Sequence, residues 1–200
     1  MSDMQYSCID EQLKKLISIL KENHSLMEML EYIAELHLPN FYIAAGSIFQ
    51  TVWNYQDGRD LNYEIKDLDI IYYNADDLSV DADMKYYKMI QDYARSRGIT
   101  YAIDVSNEAR MHLWKEDKEG GKIRPYKNSE DAISRWIATV HAIGITLEEG
   151  NIKVYAPYGI SDIFSRTIRP IKHDSNSKEL YDKKALGWKK RFSKLTVIEW

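Results

Sequence analysis

Asp67 and Asp69 stand one residue apart in the run KDLDII. Read as a strand, that run points successive side chains to opposite faces, so the two carboxylates must project together from one. At roughly 5 Å and an effective dielectric of about 20 they repel by on the order of 3 kcal/mol, a cost that folding alone does not reward. A divalent cation removes the cost, and hard cations such as Mg²⁺ take carboxylate oxygens together with substrate phosphates. A third acid, Asp104, sits between Ile103 and Val105 in ITYAIDVSN, another strand-like run. Gly46-Ser47 follows the apolar stretch FYIAA and reads as a turn into a helix, whose first backbone N–H groups are free to meet an anion. These residue types point to a metal site and a phosphate site on neighbouring elements.

The surrounding chain supplies elements that can hold them. Residues 10–22 place Leu13, Leu16, Ile17 and Leu20 at helical spacing, and Ser25 with Glu28 forms a capping box opening a second helix through His37. Pro39-Asn40 hands over to a strand over Phe41–Ala45, and the helix after Gly46-Ser47 is expected to run to about Tyr55 with Ile48, Val52 and Trp53 inward. A polar loop from Gln56 to Lys66 follows, in which Arg59 and Lys66 have either a triphosphate or solvent to face.

Asp76-Asp77-Leu78-Ser79 caps a helix over Val80–Arg97, with Met84, Tyr87, Ile90 and Ala94 on one stripe and Asp76, Asp77, Asp81 and Asp83 as cap and surface charges. Gly98 stops it before the Asp104 strand. That strand–helix–strand crossover suits parallel or mixed neighbours in one sheet. A short helix over Asn107–His112 comes next, then a Gly120-Gly121 loop that is a candidate lid. Ser129 caps a helix toward Ala138, and strands over Ala142–Glu148 and Ile152–Ala156 flank the hairpin signal Glu149-Gly150-Asn151. APYGISDIF turns into a short helix, and residues 178–192 form a last amphipathic helix with Leu180, Leu186 and Trp188.

Taken together, apolar-Gly-Ser, Asp-apolar-Asp-apolar and apolar-Asp-apolar resemble the nucleotidyltransferase superfamily that includes DNA polymerase beta. AAGSIFQTVWN, DLDIIYYN, DLSVDAD, NEARMHLW, SEDAISRW, AIGITL and APYGISDIFSRTIRP further resemble, in order, the blocks of an uncharacterised bacterial family of nucleotidyltransferase-like proteins, over about residues 39 to 198. The resemblance implies an α+β fold: a mixed β-sheet flanked by helices, here preceded by an N-terminal helical pair in residues 1–38, all within one domain of residues 1–200. It implies transfer of a nucleoside monophosphate from an NTP to an acceptor hydroxyl, with two Mg²⁺ ions. In that scheme Asp67 and Asp69 bridge both ions, Asp104 completes the nucleophile-side shell and accepts the acceptor's proton, and Gly46 and Ser47 hold the β,γ-phosphates. Arg110 and His112 line the nucleotide site by the same resemblance; otherwise Arg110 pairs with one of the carboxylates and His112 is a satisfied histidine.

Phe49 stands where relatives often carry a basic residue, and the third acid is Asp where many carry Glu. A non-catalytic nucleotide-binding or interaction protein on the same scaffold is therefore the rival reading. A glycosidase suits the residues less, because its carboxylates face each other across a substrate rather than share a strand.

Composition narrows the rest. The chain's 200 residues are 44% hydrophobic with a net charge of −4, which suits a full core and argues against an extended nucleic-acid surface. The exception is Lys178–Lys194, with seven Lys and Arg against Glu179 and Asp182, read as a solvated helix face. The one cysteine, Cys8, excludes a disulfide framework and reads as a reduced bystander. No run approaches the ~20 apolar residues of a membrane helix and the N-terminus lacks a signal-peptide pattern, so a cytoplasmic protein without a membrane partner is expected. The acceptor, whether small molecule, protein or RNA, is not encoded in any motif.

Overall fold

The computed structural model describes residues 2–117 and 119–200, with side chains from residue 10 onward, so Cys8 lies outside the described side chains. β1 (Tyr42–Ala44) lies at the centre of a five-stranded sheet. It pairs antiparallel with β2 (Asp67–Tyr72) on one side and β4 (Gly144–Glu148) on the other. β3 (Ala102–Asn107) runs parallel beyond β2, and β5 (Asn151–Tyr155) antiparallel beyond β4. This is the mixed α+β sheet the sequence implied. The β4–β5 turn places Glu149 and Gly150 at φ 51° and 76°, the paired left-handed residues of a type I′ hairpin.

The period of two along each strand sorts the sheet into unlike faces. Leu68, Ile70 and Tyr72 of β2, Ile43 of β1 and Ile103 and Val105 of β3 join the main core. That core is shared with α1 (Ser2–Glu22), α2 (His24–Glu35), α3 (Gly46–Gln56) and α4 (Val80–Ser96). The residues between them, Asp67, Asp69 and Ile71 on β2 and Asp104 and Ser106 on β3, therefore occupy the opposite face. There Tyr42 and Ile71 pack with Ile133 of α5 (Ser129–Ser134), Ala142 and Ile171. Buried Asn23 ties the N-terminal helical pair to α3: it caps α2 by accepting from Leu26 N and donates to Thr51 Oγ1 at 3.1 Å.

Several local expectations shift. Asn23 and Asn128, rather than Ser25 and Ser129, cap α2 and α5, and α5 ends at Ser134 instead of near Ala138. Asn and Ser cap about equally well, so the side chain at the actual break in the backbone wins. On α4 the inward stripe is Asp83, Ile90 and Ala94, while Met84 is exposed, since six residues from Met84 to Ile90 carry it well off that face. Asp83 is accordingly no surface charge. It accepts from Tyr72 Oη at 2.7 Å, Asn107 N at 3.1 Å and Arg110 Nη1 at 3.2 Å, the partners a buried carboxylate requires.

The chain closes through α6 (Ser161–Phe164), β6 (Thr167–Ile168), α7 (Lys178–Arg191) and β7 (Thr196–Val197), with β6 and β7 paired in parallel. Tyr181, Ala185 and Trp188 are the buried stripe of α7 at i, i+4 and i+7, whereas Leu180 and Leu186 are exposed, contrary to the sequence reading. Trp188 and Phe192 stack edge-on against Phe49 and Trp53 at 5.3 and 5.2 Å, which fixes α7 along α3.

Gly144 opens β4 where the sheet is closely packed: a Cβ there would lie 2.8 Å from Ile133 Cδ1 and 2.9 Å from Tyr42 Cδ1. Gly144→Ala is expected to destabilise the protein by about 1–3 kcal/mol, the range for overpacking a core, as measured by chemical denaturation. An unchanged midpoint would mean that Tyr42 and Ile133 yield freely.

Candidate active site

The sheet register assembles the acids. Asp69 pairs with Asp104 across the parallel β2–β3 ladder and with Ala44 across the antiparallel β1–β2 ladder. One row across three strands thus carries two carboxylates and ends two residues before Gly46. Ala45, at φ 56° and ψ −116°, holds a backbone conformation that a residue with a Cβ rarely adopts, and it swings the chain from strand to helix. No side chain caps α3, so its opening N–H groups remain available. A Cβ on Gly46 would clash with Gln50 Nε2 at 2.7 Å and sit 4.0 Å from Asp67 Oδ1, which places the helix start against the first acid.

Charge crowding is visible in the acids themselves. Burial raises the Asp69 carboxyl to about 7, with Asp67 and Asp104 adding to it and only Lys184 opposing. Asp104 is raised by loss of surrounding water and by Asp67, with the Ser106 hydroxyl holding it down. Among the described residues no three His, Cys, Asp or Glu side chains close into a metal cage. The three acids nevertheless offer an all-oxygen donor set. That suits Mg²⁺, which binds through one or two carboxylates while keeping waters and phosphate oxygens.

Two cavities meet at Asp69. One, of about 640 Å³, is lined by Gly46, Lys66, Asp67, Lys183, Lys190 and Arg191 among others. The second, of about 160 Å³, is lined by Asp104, Ser106, Glu108, Met111 and Trp136. Asp69, His141 and Lys184 border both. Lys184 Nζ lies 3.3 Å from His141 Nε2. Burial and the nearby lysines keep His141 far below its usual range, hence neutral, and burial also lowers Lys184 against the pull of Asp69 and Asp67.

The basic tail is therefore not simply a solvated face. Lys184 and Arg191 are half-buried, and Arg191 Nη1 donates to Gln50 Oε1 and to the Glu64 carbonyl, each at 2.7 Å. Lys184, His141, Glu108 and Trp136 are the site neighbours that sequence reading missed. Only the cluster of cations on α7 gave a signal, and no pattern says which of its faces turns toward β2.

Other expected residues sit elsewhere. Ser47 is fully buried and its hydroxyl points to the Ala44 carbonyl at 3.4 Å, leaving its backbone N–H as the group that can reach a phosphate. Arg110 pairs with Asp83 and donates to the Leu78 carbonyl. His112 Nδ1 is buried without a partner. Neither Arg110 nor His112 lines the two cavities at Asp69. Arg59 lies over the Tyr63 ring at 4.9 Å and beside Asp57 at 3.8 Å, a packing position, while Lys66 does line the larger cavity. The Gly120-Gly121 loop is drawn together by Asp117, whose Oδ1 accepts from Glu119 N and Gly121 N at 2.9 Å each.

Residues 31–197 match the model of a family described as nucleotidyltransferase. The chain belongs to that nucleotidyltransferase family. Among solved structures, an NMR structure described as a CCA-adding enzyme head domain superposes with a TM-score of 0.76 at 24% identity, covering 94% of this chain and 96% of that one, which shows the shared fold. A tRNA-processing enzyme complex (TM-score 0.47, 16% identity, 85% of this chain and 43% of that one) is more distant. So is the Thermotoga maritima CCA-adding enzyme in complex with tRNA (TM-score 0.45, 14% identity, 86% and 38%). No curated protein matches the sequence. No helix of the described residues is long and apolar enough to cross a membrane.

Proposed function

We propose that this nucleotidyltransferase-family protein moves a nucleoside monophosphate from an NTP to an acceptor hydroxyl in a Mg²⁺-dependent reaction. The observation that carries the reading is the row Asp104–Asp69–Ala44, which ends two residues before the start of α3. Asp67 and Asp69 would hold Mg²⁺, with Asp104 beside them, and the ion would lower the pKa of the attacking hydroxyl and neutralise departing pyrophosphate. The residues do the rest. Backbone N–H groups of Gly46 and Ser47 meet phosphate oxygens at the positive end of α3. Lys66, Lys183, Lys184, Lys190 and Arg191 form a cationic wall for the triphosphate. The acceptor oxygen bonds to the α-phosphorus, the α–β bridging bond breaks with its electron pair leaving on pyrophosphate, and the acceptor's proton passes to Asp104.

Calorimetric titration should show NTP affinity that depends on Mg²⁺ and disappears in EDTA; equal affinity in EDTA would refute the reading. Labelled NTPs with Mg²⁺ and a cell extract should then yield a labelled acceptor. Binding without any labelled product would favour a nucleotide-binding module instead. Lys184→Met is expected to raise the KM for NTP about tenfold with kcat changed only a few-fold, the loss of one charge-assisted contact worth roughly 1.4 kcal/mol. An unchanged KM would remove Lys184 from triphosphate binding.

A further inference from the structure

The two cavities that meet at Asp69 differ in charge. Cations dominate the wall on the Gly46 side, as phosphates require. The smaller cavity is lined by three acids, Asp69, Asp104 and Glu108, against one lysine, Lys184. Its volume of about 160 Å³ is below the roughly 300 Å³ at which drug-sized ligands are enclosed, so it admits a fragment of about one sugar ring. Three carboxyl groups also make it a poor place for a phosphodiester chain.

Glu108 is the second, independent sign of a ligand. It is 3% exposed, opens onto this cavity, and its carboxyl makes no hydrogen bond or ion pair with any described residue. Lys115, the cation acting on it most strongly, donates instead to Tyr126 Oη at 3.3 Å. Burial holds the Glu108 carboxyl above the ordinary carboxylate range. Such a carboxyl is kept neutral by its surroundings, and an ammonium arriving beside it would stabilise the charged form. Trp136 in the same wall offers an indole that favours an ammonium or a sugar C–H face.

We propose that this cavity is the acceptor subsite and that it takes a small alcohol bearing an amino group, whose ammonium pairs with Glu108 while its hydroxyl reaches Asp104. The assignment of the hydroxyl rests on the nucleotidyl-transfer reading; the binding of the amine does not.

The test uses the full chain without nucleotide or metal, followed by NMR. Glucosamine should shift the amides of Ser106 and Glu108 and the Trp136 indole, with glucose and a short single-stranded RNA binding at least about tenfold more weakly. In Glu108→Gln, a near-isostere, the preference for glucosamine over glucose should fall to within about twofold. Equal binding of glucose, stronger binding of RNA, absence of shifts at these residues, or a preference that survives in Glu108→Gln would each overturn the proposal. The wild-type comparison stands even where the variant folds poorly. Because the titration contains no NTP, its failure is separable from a failure of Mg²⁺-dependent NTP binding, read by calorimetry.

Discussion

Asp69→Asn should abolish transfer, by about a thousandfold or more, while making the metal-free protein more stable at pH 8. Both effects follow from its burial beside Asp67 and Asp104. In an unfolded chain Asp69 loses its proton near its ordinary value of 3.8, but the fold retains that proton to about pH 7. Between those limits the folded state binds a proton that the unfolded state has released, so stability falls as pH rises across the window, and the loss is complete above it. The rise from 3.8 to about 7 corresponds to on the order of 4 kcal/mol. Asn carries no charge and escapes it. Thermal melts in EDTA at pH 5 and pH 8 should therefore show the variant's advantage growing with pH, and Mg²⁺ should stabilise only the wild type. A variant that melts lower than the wild type at pH 8 would make Asp69 a structural partner instead.

How much of this was legible in the sequence depends on how local the determining contact is. The acids could be read because alternation along a strand is a property of two neighbouring residues, and Asp67 and Asp69 share a face in any strand. The crossover helix between β2 and β3 pointed to parallel or mixed neighbours in one sheet, and the two strands pair in parallel. The hairpin at Glu149-Gly150 followed from a turn that only a few residue types adopt. Lys184 could not be read, because its approach to Asp69 depends on Trp188 and Phe192 docking on α3, more than a hundred residues earlier in the chain. The α7 stripe was misread for a related reason: Tyr181 is polar at one end, yet its hydroxyl finds the carbonyls of Ile168 and Ile198, so it buries where Leu180 does not. Asp83 and Glu108 are acids that composition assigns to the surface. Asp83 is inside because Arg110, Tyr72 and Asn107 converge on it; Glu108 is inside with no such partners.

Asp104→Ala separates an enzyme from a binding module. Asp67 lies against the start of α3 on the triphosphate side, so replacing it should weaken NTP binding and transfer together. Asp104 comes from the neighbouring strand, lines the small cavity and does not line the cationic one. Its contact is with the acceptor hydroxyl, an interaction realised mainly as the proton leaves in the transition state. Mg²⁺-NTP affinity in Asp104→Ala should therefore stay within a few-fold of wild type, while the transfer rate falls by at least ~100-fold, the contribution typical of a positioned general base. Folding should tolerate the change, because removing Asp104 relieves its repulsion with Asp69. Calorimetry and single-turnover transfer on the one variant decide the matter. Equal losses in both would move Asp104 to the triphosphate side, and an unchanged transfer rate would remove it from the chemistry and leave the proton to another group in the small cavity.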